Sequence, residues 1–227
     1  MRDILAEHFL LKGLPPDDLD RLAALSHTRA YTANQNIFSK GDPATGMMGV
    51  ISGRVRIVAY SADGKEVVLR VIEPGEVFGE IALIDGGERT ADAIAMGRCD
   101  LLVLERRDFL PVLETNPALC LKLLRMMCQR LRSTSEQLED FSFLDLRTRL
   151  AKRLLRLAGQ HGEKAPDGVR IGLNLSQQML GAMMGTTREA VNKQLRALED
   201  EGLVRLGRGS VTVLDRAALE AIVEAAE

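Results

Sequence analysis

Apolar residues in this chain keep two different periods, and the change-overs divide it. Leu19, Leu22, Ala23 and Leu25 recur at helical spacing after the Pro15-Pro16-Asp17 start, so residues 1 to about 29 predict short helices. From Tyr31 to Leu104 the pattern is short β-branched runs punctuated by Gly41, Gly46, Gly53, Gly64, Gly75, Gly79 and Gly86. There Val55, Ile57 and Ala59 alternate with Arg54, Arg56 and Val58, and Ser61-Ala62-Asp63-Gly64 turns into a second apolar run. Many short strands with turn signals at this spacing predict a sandwich, jelly roll or barrel. Arg106 to Leu113 predicts a short helix. After Phe141 the helical period returns: Leu146, Leu150, Leu154 and Leu157 share a face, and Arg147, Arg149, Lys152, Arg153 and Arg156 decorate the others. A polar loop is expected over 159–168, then VRIGLNL and two helical pieces. GLVRLGRGSVTVL predicts a small β-hairpin with Gly207 and Gly209 near its tip, and Asp215 can cap a last helix to Ala226.

The longest uninterrupted helical pattern runs from Asn116 to Phe141. Asn116 suits the cap and Pro117 the first turn, where a missing N–H costs nothing. Leu124, Met127, Leu131, Thr134, Leu138 and Phe141 step by three and four, the seam of a two-stranded coiled coil. Burial of this helix within its own domain is the alternative. Thr134 and Ser135 argue for the seam, because a hydroxyl pair on an apolar stripe costs stability unless it meets a polar partner.

Composition narrows the classes. At 227 residues, 46% hydrophobic and 27% charged, the chain has room for two ordinary domains. No apolar run reaches membrane-spanning length and MRDILAEHFL lacks a signal-peptide pattern, so a cytoplasmic protein with no membrane partner is expected. Cys99, Cys120 and Cys128 form no CxxC, and His8, His27 and His161 have no ligand spacing, so no metal is expected. The net charge of −2 is unevenly spread: 17 basic and 22 acidic residues over 1–146 give −5, while 13 and 10 over 147–227 give +3. A basic back half is a modest pointer to nucleic acid.

Two constellations carry chemistry. In GEVFGEIALIDGGERTA, Gly79 lets a backbone approach a ligand and the amides of the following residues can meet an anion. Arg89 offers a guanidinium fork for a phosphate diester, and Glu80 an acceptor for a sugar hydroxyl. Either half alone reads first as a Gly-rich turn with a solvated Glu and Arg. In SQQMLGAMMGTTREAVNKQLRALEDEGLV, Gly181, Gly185 and Val191 hold the spacing of a helix-turn-helix, with a small residue at the crossing and a Gly in the turn. Thr187 can cap the second helix, placing Arg188 and Glu189 in its first turn and Lys193 one turn on. Arg toward guanine and Glu toward cytosine is how such a helix reads bases. A helical hairpin with a solvated charged face is the alternative, and the hairpin that follows favours a winged helix.

The first constellation resembles the phosphate-binding cassette of cyclic-nucleotide-binding domains. With the long helix and the winged helix, the order resembles the cyclic-AMP receptor protein/fumarate–nitrate regulator family of bacterial transcription factors across nearly the whole chain. The resemblance implies an α+β protein: an N-terminal β jelly-roll cyclic-nucleotide-binding domain (1–115), a dimerisation helix (116–143) and a C-terminal winged helix-turn-helix domain (144–227). It implies Gly79, Glu80, Ile81 and Ala82 around ribose and phosphate, completed by Arg89 and Thr90, with Arg130 pairing Glu80. Thr134 and Ser135 resemble the pair that meets the purine, one hydroxyl from each subunit. Ser176, Gln177, Thr187, Arg188, Glu189, Asn192 and Lys193 are the candidate DNA contacts. Gln194 stands where the family often has an apolar residue, and the cysteine cluster of the iron–sulfur branch is absent.

The expected function is a homodimeric, non-enzymatic transcription regulator of palindromic promoter DNA, switched by cAMP in preference to cGMP and working with RNA polymerase. His27 and Arg29 resemble a polymerase-contacting basic patch, although Asp108 stands near a further expected basic position. A hydroxyl donates or accepts, so Thr134 and Ser135 suit adenine or guanine, and Thr90 matches a cGMP-contacting position in relatives. The rivals are a regulator of the same fold with another effector, a jelly-roll enzyme, and a redox switch on Cys120 and Cys128.

Overall fold

The computed structural model describes residues 11–173 and 176–226. The helices expected within residues 1–10 and the end of the run through Asn174 and Leu175 lie outside the described residues. The described chain forms two compact units whose boundary falls between Leu131 and Arg132, with residues 65–67 grouped with the second.

The first unit opens with α1 (Pro16–Leu25), which buries Leu19 and Leu22. Leu25, expected on the same face, is exposed, because the helix stops there and β1 begins at His27. The strands are β1 (His27–Tyr31), β2 (Asn36–Phe38), β3 (Gly46–Ser52), β4 (Val55–Tyr60), β5 (Glu66–Ile72), β6 (Val77–Phe78), β7 (Asp92–Ala95) and β8 (Cys99–Glu105). They make two four-stranded sheets, ordered β1-β8-β3-β6 and β2-β7-β4-β5. A core of Tyr31, Val50, Val55, Ile72, Phe78 and Leu101 fills the roll. Val58 is fully buried although alternation sets it with Arg54 and Arg56, so both faces of β4 are covered at that point.

Helices close one side of the roll. Leu11, Leu22, Met47, Leu83, Phe109, Leu119 and Leu123 form one apolar cluster, drawn from the turn before α1, α1 itself, the sheet, α2 (Glu80–Asp85), α3 (Arg106–Thr115) and α4 (Pro117–Phe143). Asn116 caps α4 as its residue type predicts, its Oδ1 accepting the Leu119 amide at 3.0 Å. This helix has two apolar faces with different fates. Leu119, Leu123 and Met126 are buried, each worth about 1.5–3 kcal/mol of transfer free energy. Leu124, Leu131, Leu138 and Phe141, expected on the seam, are exposed, Leu131 by 68%. One apolar face of this helix is therefore buried within its own domain while the other is exposed.

The second unit starts on the far part of α4. Asp145 caps α5 (Leu146–His161) by accepting the Thr148 amide at 2.8 Å, a bond that holds its carboxyl below the usual range. The polar segment expected as a loop is instead the hairpin β9 (Gly162–Ala165) and β10 (Gly168–Ile171). Its register is set from outside, since Val169 and Arg170 pair with Val213 and Thr212. The hairpin β11 (Val204–Gly207) and β12 (Ser210–Val213) turns at Arg208-Gly209, as expected, and completes the sheet β11-β12-β10-β9. Against it pack α5, α6 (Gln177–Met183), α7 (Arg188–Asp200) and α8 (Arg216–Glu224), through Leu150, Leu154, Leu180, Val191, Leu195, Leu198 and Leu219.

Candidate functional site

The cassette residues converge in the first unit. Gly79 lies between β6 and α2 with φ +77°, and a Cβ there would come within 2.4 Å of Arg89 Nη1. The backbone conformation favours glycine, and any side chain there would displace the Arg89 guanidinium. Arg89, ten residues on, folds back and is buried: Nη1 donates to the Gly79 carbonyl at 3.0 Å and Nη2 to the Gly46 carbonyl at 2.7 Å. Its guanidinium sits 4.2 Å from the centroid of the Phe38 ring, and its Nε has no acceptor among the described residues. Burial pulls the Arg89 pKa down, opposed by the charges of Asp42, Glu80 and Glu105. An arginine so placed is a fixed cation under low dielectric, where a phosphate partner counts for more than in water.

Glu80 is 3% exposed and its carboxylate is paired with Arg130, whose Nη1 meets Oε1 while Nη2 donates to the Val77 carbonyl. The cassette is thus tied to α4 by a charged, largely desolvated link. Ala82 is buried, whereas Ile81 and Thr90 are exposed. Thr134 and Ser135 follow Arg130 on the same helix, both exposed. Phe38 and Gly46, which hold Arg89 from strands far away in sequence, were not legible in the motif. Only the sheet brings them to it.

The helix-turn-helix forms in the second unit. Ser176 caps α6 by accepting the Met179 amide at 3.0 Å, and Thr187 caps α7 by accepting the Ala190 amide at 3.2 Å. A Cβ on Gly181 would lie 3.0 Å from the Thr186 carbonyl, so the helices cross closely there, and Gly185 turns at φ +60°. Arg188, Glu189 and Lys193 are exposed on α7. Gln177 and Asn192 are half-buried and bond to each other at 2.9 Å, and Arg188 Nε donates to Gln177 Oε1 at 3.5 Å. Gln194 is half-buried, with Val191, Leu195 and Leu198 carrying the core contact. One contact was missed: Phe141, expected on the seam, lies where a Cβ on Gly185 would be 3.0 Å from its ring.

Cys99 is buried, a setting that pushes its thiol pKa up, while Cys120 Sγ donates to the Leu113 carbonyl and Cys128 is exposed. Cys120 and Cys128 are on one helix, eight residues and so about 12 Å apart along its axis, too far for a bond within the chain. Among the described residues no helix is long and apolar enough to cross a membrane, and no three His, Cys, Asp or Glu gather as a metal-binding group.

Comparison with known proteins covers both units. A family model for the cyclic nucleotide-binding domain matches residues 28–116, and one for the Crp-like helix-turn-helix domain matches residues 148–222. The cyclic AMP receptor protein of Thermus thermophilus is 37% identical over 213 residues, spanning 94% of this chain and 95% of its own. The CRP-like cAMP-activated global transcriptional regulator of Mycobacterium tuberculosis is 30% identical over 215 residues, spanning 95% and 96%. Among solved structures, the c-di-GMP-responsive global regulator CLP of Xanthomonas campestris superposes with a TM-score of 0.79 at 27% identity, over 88% of this chain and 100% of that one.

Proposed function

The chain belongs to the CRP/FNR family of transcription factors, and on that premise we propose that it is a homodimeric regulator in which a cyclic nucleotide, cAMP before cGMP, controls binding to palindromic promoter DNA. The observation that carries this reading is the Glu80–Arg130 pair, which joins a buried phosphate-binding arginine's loop to the helix that bears the exposed seam. The functional division follows the chain: 1–115 receives the nucleotide, 116–143 dimerises, and 144–227 binds DNA.

Arg89 takes the charge of the cyclic phosphate, exchanging its bonds to backbone carbonyls for charge-assisted ones. Gly79, Ile81 and Ala82 supply close backbone approach, Glu80 accepts from the ribose hydroxyl, and Thr90 borders the phosphate. The seam Leu124, Met127, Leu131, Leu138 and Phe141 pairs with a second copy, and Thr134 and Ser135 meet the purine beside it. Switching requires that the nucleotide bind the DNA-competent arrangement more tightly than the other. Arg188, Glu189 and Lys193 read bases, while Ser176 and Thr187 contact phosphates at the ends of their helices and Gln177 with Asn192 positions Arg188. His27 and Arg29, exposed on β1, are the surface offered to RNA polymerase. The protein works in the cytoplasm by binding, without catalysis.

Arg89→Leu tests the site. It removes a charge-assisted contact worth about 1.5–3 kcal/mol, so nucleotide affinity falls about tenfold or more while the oligomeric state is unchanged. Equal affinity by calorimetry would remove the cassette from the account.

A further inference from the structure

The second unit contains a basic cleft that the DNA-reading helix does not use. It lies between the end of α4, one face of α5 and the end of α6, with a volume of about 240 Å³. Arg149, Lys152, Arg153 and Arg156 line it from α5, against the carboxylates of Glu136 and Asp140 on α4. Four cations facing two anions leave a surplus of two positive charges. Asp140 is already engaged, accepting from Lys152 at 2.7 Å. Arg149 stacks 4.6 Å from the centroid of the Phe141 ring, and its buried Nε finds no acceptor among the described residues. Burial and the neighbouring charge of Arg156 lower the pKa of Arg153, with only partial relief from Asp140.

We propose that this cleft is a second anion site, separate from the cassette, that takes a compact phosphorylated small molecule. A phosphate monoester carries close to two negative charges at neutral pH, which matches the surplus, whereas a monocarboxylate leaves half of it unmet. Guanidinium forks suit phosphate oxygens bidentately. The volume is below the roughly 300–1,000 Å³ of drug-sized sites, so the organic part is a few carbons long. Phe141, Met183 and Met184 give that part an apolar wall. The ring of Phe141 also abuts Gly185 in the helix-turn-helix turn, so an occupant acts on the residue that braces the DNA-binding element.

The test is calorimetric titration of the full chain with glycerol 3-phosphate and with pyrophosphate, at constant ionic strength set by chloride. Wild type and Arg89→Leu bind saturably and alike, and Arg153→Gln with Arg156→Gln weakens binding about tenfold, in line with loss of charge-assisted bonds. If the double variant fails to fold by circular dichroism, Arg156→Gln alone, an exposed position, carries the test with about a threefold fall. Absence of saturable binding overturns the proposal, as does loss in Arg89→Leu with retention in the double variant. A third result also overturns it: with no anion added, the double variant binds DNA more weakly with a shallower salt dependence, which assigns these cations to the DNA backbone.

Discussion

Replacing Arg130 with Met isolates the link between cassette and long helix. The substitution keeps much of the apolar stem but leaves the Glu80 carboxylate, 3% exposed, without its cation and the Val77 carbonyl without a donor. Breaking a buried pair from one side costs about 3–5 kcal/mol, because a desolvated charge is stranded. The Arg130 side chain is 18% exposed, so water reaches its end of the pair and the lower figure, about 3 kcal/mol, applies. Adding Glu80→Gln removes the stranded charge, and the double variant recovers to within about 1 kcal/mol of wild type. The chain has no Trp and two Tyr, Tyr31 and Tyr60, both in the first unit, so tyrosine fluorescence during urea unfolding reports on that unit alone. Protomer concentration is held constant, since association shifts apparent stability. A loss below about 1 kcal/mol for Arg130→Met, the level of an exposed pair, or a double variant no better than the single one, would refute the reasoning.

Thr134→Val keeps shape but removes the hydroxyl proposed to meet the purine, so the variant needs far more nucleotide for the same DNA occupancy. DNA-binding curves against nucleotide concentration that superimpose on wild type would leave Thr134 as a tolerated seam hydroxyl. Arg188→Ala and Glu189→Ala each relax base preference within the half-site, at roughly 1–3 kcal/mol per lost bidentate contact. Selection from random DNA returns two-fold symmetric sites for wild type, and a single unrepeated motif would count against the dimeric reading.

What the sequence disclosed was local. Asn116-Pro117 announced the start of the long helix because capping chemistry acts within one turn, and Ser176, Thr187 and Asp215 announced theirs in the same way. Gly181 and Gly185 marked a close crossing and a left-handed turn, constraints that only glycine meets cheaply. The change of period separated the strand-rich front, the long helix and the helical back, while the glycine spacing and the family resemblance identified the jelly roll and the winged helix-turn-helix. The first misreading, the loop at 159–168, came from a hairpin with little apolar periodicity of its own, held by pairing with β12 some forty residues on. The alternation in β4 could not disclose that both faces are covered, so Val58 was set on the open side.

The candidate site was legible as a set of residue types and not as an arrangement. Gly79, Glu80 and Arg89 form a motif, but that Arg89 lies over Phe38 and is held by Gly46 depends on strand order. The basic cleft was visible only as arginines decorating α5. Its meaning depends on Phe141, Met183 and Met184, which reach it from two other helices. Non-local packing supplies what periodicity omits.

The central claim, that nucleotide occupancy is converted into DNA affinity, is tested most directly by titrating the wild-type protein with cAMP and with cGMP while reading its affinity for a selected palindromic site. The account predicts a saturable rise in DNA affinity with either nucleotide, at lower concentrations of cAMP than of cGMP. A DNA affinity that is the same with and without saturating nucleotide would contradict it.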